Sequence, residues 1–315
     1  MWKYIIKRIF IAVPVLIGIT VIDYFLMSLA GSPLAMIQGA HVSQAALSVR
    51  GAQLGLDKPV IVQYFTWLSQ IFTGNFGYSI KNNEAVSAMI GSHIGQTLLL
   101  MGASLLISML ISVPAGVFSA THKNKAGDYS LMGLSFLGNS IPSFFLAMLL
   151  IYVFTIKLNL LPSGGMTTLG ANLGAGDVAV HMIMPVIVLA VSMTGTNIRY
   201  IRSAVLEILQ QDYLRTARAK GIGHFKVINK HALRNAMVPV ITVFGMEIPT
   251  LFGGAIIVEQ VFSWPGLGLM TMTAIINRDY PVIMGVSLVA ALVVLLGNLL
   301  TDILYAVVDP TIQYH

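Results

Sequence analysis

The chain has 315 residues, 56% of them apolar and only 10% charged, with a mean hydropathy of +0.83. So few charges cannot clothe a soluble globule of this length, and so apolar a composition excludes intrinsic disorder. Cysteine is absent, which removes disulfides, thiolate metal sites and cysteine nucleophiles from consideration. The net charge of +6 does not by itself point to nucleic acid, because its meaning depends on where the charges sit.

A hydrocarbon core about 30 Å thick needs roughly 20 mostly apolar residues per helix. Six stretches meet this condition and predict an all-α membrane protein of six transmembrane helices: about Ile9–Leu29, Thr97–Ser119, Ser130–Ile156, His181–Ile201, Met237–Phe262 and Pro281–Val307. The first follows Lys3, Lys7 and Arg8, as a signal peptide would. Its apolar stretch is longer than the roughly 7–15 residues of a signal h-region and contains Asp23, so it is expected to stay as a span. Between the first two spans, Val60–Phe72 is apolar but too short to cross and is expected to be an extramembrane helix. The predicted organisation is thus 1–29 (N-terminus and first span), 30–96 (a large extracytoplasmic segment) and 97–315 (a five-span core carrying a cytoplasmic loop, 199–236). With the N-terminus inside, 13 of the 18 Lys and Arg residues fall on the cytoplasmic side, which satisfies the positive-inside rule and puts both termini in the cytoplasm.

The loop from Arg199 to Arg234 carries eight basic residues against Glu207 and Asp212, so its local excess equals the net charge of the whole chain. Within it, Asp212–Gly221 reads as a short helix with Asp212 as N-cap and Gly221 as a left-handed stop. Tyr213, Leu214 and Ala217 are expected to share a side, with Arg215 and Arg218 projecting elsewhere. A second helix, about His224–Asn235, is expected to end at Pro239. Two readings stand at this point: a rigid knob for a protein partner, or a solvated topology signal on anionic headgroups. No stacking aromatics or nucleic-acid module accompany the charges, so nucleic acid is not an expected partner.

Thr216-Ala217-Arg218-Ala219-Lys220-Gly221, followed by His231-Ala232-Leu233-Arg234-Asn235-Ala236 and Pro239, resembles the cytoplasmic EAA loop of ABC importer permeases, in the form of the dipeptide/oligopeptide/nickel subfamily. The superfamily's Glu-Ala-Ala stands here as Arg215-Thr216-Ala217, so Ala217 and Gly221 are the strict matches. Leu54-Gly55-Leu56-Asp57-Lys58-Pro59, Gly74-Asn75-Phe76-Gly77, Pro142-Ser143-Phe144-Phe145, Leu161-Pro162-Ser163-Gly164-Gly165 and Glu259 through Gly268 are similar to the subfamily in the same order. Ala30-Gly31-Ser32-Pro33 departs from the Pro-Gly-Asp-Pro of many relatives.

The resemblance implies a methionine-importer-like (type I ABC importer) permease fold in a bacterial or archaeal plasma (inner) membrane. It implies that Tyr213, Arg215, Thr216, Ala217, Arg218, Ala219, Lys220, Gly221, His231 and Arg234 seat an ATPase. Trp264, Pro265, Gly266 and Gly268 would meet an extracytoplasmic substrate-binding protein. The implied partners are a second homologous permease (heterodimer favoured) and two ATP-binding subunits. The implied cargo is di- or oligopeptide, with nickel, metallophore or glutathione as alternatives. A P-loop requires Gly-Lys before Ser or Thr, and that dipeptide does not occur, so ATP and Mg²⁺ are expected on the partners. No catalytic, cofactor-binding or metal-binding residue is expected in this chain.

Asp23, Glu247, Glu259 and Asp302 fall within or near the spans. An ionisable group in lipid costs at least about 2.5–3.5 kcal/mol, so each must face a cavity, a partner or the interface. Glu247 is either a translocation-path carboxylate or an interhelical hydrogen-bonding group. By the resemblance, Glu259 is a structural or gating contact. Asp302 is expected to pack between helices with Asn298, and Asp23 could do either. A different class, an ion-gradient-driven secondary transporter, calls for internal repeats and a midplane cluster of ionisable groups, and neither is evident. An intramembrane enzyme would need paired catalytic residues at helical spacing, and none appear.

Overall fold

The computed structural model describes residues 2–31, 49, 51–52, 56–168, 170, 174–221, 223 and 233–308. The helices among them are α1 (Trp2–Leu29), α2 (Val60–Phe72), α3 (Val86–Thr121), α4 (Ala126–Ser140), α5 (Ser143–Leu150), α6 (Gly174–Leu209), α7 (Asp212–Ala219), α8 (Leu233–Val261), α9 (Leu267–Ile276) and α10 (Tyr280–Val308). Five of these, α1, α3, α6, α8 and α10, are long and apolar enough to cross a membrane, and α4 with the helical stretch Ser143–Lys157, which begins with α5, makes a sixth if that bent pair is one span.

The expected third span is not one straight helix. It breaks between Ser140 and Ser143, with a bend of 95°. Pro142 is the cause. It lacks an N–H, and its ring drives the preceding residue out of the helical region, so Ile141 sits at φ −82°, ψ 121°. Beyond α5 the chain widens into a π-helix over Ile151–Lys157. A second difference lies at Pro239, expected to end a helix but found inside α8. The expected helix start at 224–232 lies outside the described residues.

The chain divides into two compact units, residues 98–264 with 296–315, and residues 2–97 with 265–295. In the first, small residues set the helix contacts, as membrane helices require where apolar side chains gain nothing by leaving lipid. A Cβ on Gly195 of α6 would lie 2.5 Å from the Ser135 carbonyl oxygen of α4, and one on Gly116 of α3 would lie 2.7 Å from Ile201 of α6. Ser104, Ser108 and Ser112 are buried at i+4 spacing on α3, and the Thr194 hydroxyl and Asn197 amide of α6 donate to Ser108 Oγ at 3.2 and 3.3 Å. On α8 and α10, Gly245 faces Thr301, and Gly297 faces Ile248.

In the second unit, α2 packs on α1. Thr20 Oγ1 and Tyr64 Oη lie 3.1 Å apart, and Tyr24 Oη donates to Gln63 Oε1 at 3.2 Å. The Tyr24 and Tyr64 rings meet edge to face at 5.5 Å. Asp279 is buried and accepts from the Ser79 hydroxyl and, at 3.0 Å, the Ile80 N–H, tying the 74–85 segment to the start of α10. Ser287 of α10 donates to Asp23 of α1, which gives that intramembrane carboxylate an interhelical partner.

Candidate functional site

The α7 segment rises from a packed base. Ala120 of α3, Ile201 and Val205 of α6, and Val240 and Phe244 of α8 form a buried cluster, with Leu206, Ile208 and Leu209 against it. α6 continues to Leu209, well past the predicted end of its span, and hands directly to α7 through Gln210 and Gln211. At about 1.5 Å per residue, 36 residues of α6 reach roughly 54 Å, far more than a hydrocarbon core needs. The surplus forms a stalk for α7.

Asp212 is the first residue of α7 itself rather than its cap. Its carbonyl accepts from the Thr216 hydroxyl at 3.1 Å, and the Lys220 N–H donates to the Thr216 carbonyl at 3.0 Å. Gly221 then stops the helix at φ 78°, the left-handed conformation expected of it. Tyr213 and Leu214 do not share a side, because successive helical residues turn by about 100°. Leu214 is fully buried and anchors α7, whereas Tyr213 is 42% exposed. Thr216, Ala219, Lys220 and Gly221 are exposed at the far end of the segment. Arg215, Ala217 and Arg218 belong to α7 and Arg234 to α8, and their side chains, like the whole of His231, lie outside what is described.

Two of the eight basic residues, Arg199 and Arg202, are held against α4. Arg199 stacks over the Phe136 ring of α4 at 4.8 Å. Arg202 turns inward to a carboxylate that sequence reasoning missed: its Nε and Nη2 each donate to Asp128, at 2.7 Å. The one clue in the sequence was an acid beside Lys123 and Lys125 in a short connection.

Toward the other end of the same unit, Glu259, Phe262 and Trp264 are almost completely buried, and the Trp264 N–H donates to the Glu259 carbonyl at 2.9 Å. The 161–168 segment is fastened beside them. The Gly165 N–H donates to Phe262 O at 2.7 Å, and His181 Nδ1 donates to Gly164 O at 3.0 Å. Asp177 accepts from the Thr168 N–H and hydroxyl at 2.7 and 2.8 Å. In the second unit, the Leu267 N–H is held by Thr97 Oγ1 at 2.7 Å. Of the four residues expected to meet a binding protein, Trp264, Gly266 and Gly268 are buried and Pro265 is half-buried. Glu247, 9% exposed, is carried by α8 between Phe244 and Leu251, both buried, and Asp302 of α10 is buried.

The chain belongs to the family of binding-protein-dependent transport system inner membrane components, matching its main domain over residues 112–314 and its N-terminal domain over residues 1–101. It is therefore a multi-pass inner-membrane permease subunit of an ABC importer, a system that in general works with ATPase and substrate-binding partners. A Brucella ovis protein whose name is that of a peptide permease is 45% identical over 317 residues, covering 99% of both chains. The oligopeptide transport system permease protein AppB of Bacillus subtilis is 42% identical over the full length of both. The glutathione transport system permease protein GsiC of Salmonella typhimurium is 37% identical, also over full length. Among solved structures, an inward-facing form of the MetNI methionine ABC transporter matches with a TM-score of 0.58 at 19% identity, covering 70% of this chain and 96% of that one, which supports the fold.

Proposed function

We propose that this chain forms half of the translocation path of an ATP-driven importer of di- and oligopeptides, paired with a second homologous permease and served by two ATP-binding subunits that carry ATP and Mg²⁺. The observation that carries this reading is full-length identity of 42–45% to relatives named for peptide transport. The identity to a glutathione permease keeps a short thiol peptide as the second reading.

In this reading six spans cross the membrane, with the α4–α5 pair as the third and both termini cytoplasmic, in keeping with the asymmetry of basic residues. Residues 30–96, including α2, are then extracytoplasmic. So are the 161–168 segment and the start of α10, toward the substrate-binding protein. α7, from Tyr213 to Gly221, is the coupling helix, with His231 and Arg234 nearby. ATP-driven closure of the two ATPases draws the coupling helices together and switches access from one side to the other, a rigid-body change biased by differential binding in the two states. Glu247 and Glu259 serve the path or its gate.

Gly221→Val tests the coupling role, because a β-branched residue at φ 78° is strained by about 1–2 kcal/mol. The variant is expected to insert and to co-purify with its partners, yet to lose ATP hydrolysis stimulated by peptide-loaded binding protein. Unaltered stimulation contradicts the coupling role.

A further inference from the structure

Three segments converge on the Asp128 carboxylate: the end of α3, the turn after it, and the far end of α6. Arg202 of α6 delivers a parallel fork, Nε to Oδ1 and Nη2 to Oδ2, both at 2.7 Å. Ser119 of α3 donates its hydroxyl to Oδ1, and the Asn124 N–H donates to Oδ2 at 2.9 Å. Asn124 reaches that position in the left-handed region, at φ 64°. Four donors therefore fill the carboxylate, which is 1% exposed. Asp128 also lies in the first turn of α4, where the helix dipole favours a negative charge.

A buried ion pair of this kind contributes little net stability compared with apolar packing, because desolvation offsets the attraction. What a bidentate fork adds is geometry. Apart from Arg199 over the Phe136 ring, the rest of the α4–α6 contact runs through small groups: Gly195 lies against the Ser135 backbone and Gly138 against Val191, with Asn139 and Thr196 sharing a 3.4 Å hydrogen bond. Such a seam permits shear, the sliding of packed helices that switching proteins use. The fork sits at the end of the seam nearest α7, ten residues before Asp212.

We infer that the Arg202–Asp128 fork is the joint that fixes the register of α4 against α6, so that displacement of the α7 knob is passed to the α3–α4 hairpin instead of being lost as sliding. Arg202 and Asp128 are positioning residues for coupling. The inference rests on the reading of α7 as the coupling helix.

The test uses the complete importer in proteoliposomes, with a radiolabelled pool of tri- to pentapeptides as cargo. Arg202→Lys keeps the charge and loses the fork. The peptide moved per ATP hydrolysed is expected to fall about tenfold, within the usual range of coupling between sites. Asp128→Asn is expected to do the same. Register is read separately, since the chain has no native cysteine. Cysteines placed at Asn139 and Thr196 are expected to cross-link with the fork intact. On the Arg202→Lys background, the cysteine at Asn139 is expected to cross-link also to one placed a turn further on, at Tyr200. A wild-type transport ratio in the variants that assemble, or a cross-link pattern unmoved by Arg202→Lys, overturns the proposal. Gly221→Val, assayed in parallel, separates the two failures. If it uncouples while Arg202→Lys does not, the joint is wrong and the coupling helix stands. If neither uncouples, the coupling reading falls first.

Discussion

Gly195 shows what one hydrogen atom does in this protein. Any side chain there would press on the Ser135 carbonyl, and Gly195→Val is expected to destabilise the α4–α6 contact by about 1–3 kcal/mol, the usual cost of overpacking. Thermal melting of the purified chain in detergent checks this. Gly102→Ala is the matched control: nothing lies within 4 Å of the added Cβ, so it should melt at or above the wild-type temperature. Glu247 makes the functional counterpart. If it serves the path, Glu247→Gln should slow peptide uptake about tenfold or more, roughly 1.4 kcal/mol, with assembly unchanged. Uptake at the wild-type rate would assign it a packing role. At this scale the sequence was readable where the cause is local: the left-handed stop at Gly221 needs only its own backbone. It was unreadable where the cause is distant. The partner of Arg202 lies 74 residues away, and Asp128 carries no pattern that names it.

Among the elements, the bend after α4 depends on Pro142. Pro142→Ala restores a backbone donor and lifts the restriction on Ile141, so the helix is expected to extend through 141–142. Slowed hydrogen exchange of the amides at 141–145 would register the change, and exchange as fast as in the parent would show that tertiary packing, not the proline, holds the bend. Hydropathy found each apolar run but not the helix ends. It sees only the stretch a membrane must cover, whereas α3 and α6 each run to 36 residues. Pro239 misled for a related reason. A proline that would end a helix in water is tolerated where neighbouring helices satisfy the freed backbone groups.

For the whole molecule, composition settled the membrane class, and the order of motifs along the chain pointed to the permease family before any helix was placed. How the +6 charge is used was not legible, since two of the cations counted for the α6–α8 connection are spent inside the unit, on Asp128 and on the Phe136 ring. In the proposed function this chain moves peptide only as part of an ATP-driven assembly. Uptake of labelled peptides into proteoliposomes measures it directly. Uptake is expected when the second permease, the ATPases, ATP and the binding protein are all present, and none from this chain alone under an imposed proton or sodium gradient. Gradient-driven uptake by the lone chain would contradict it.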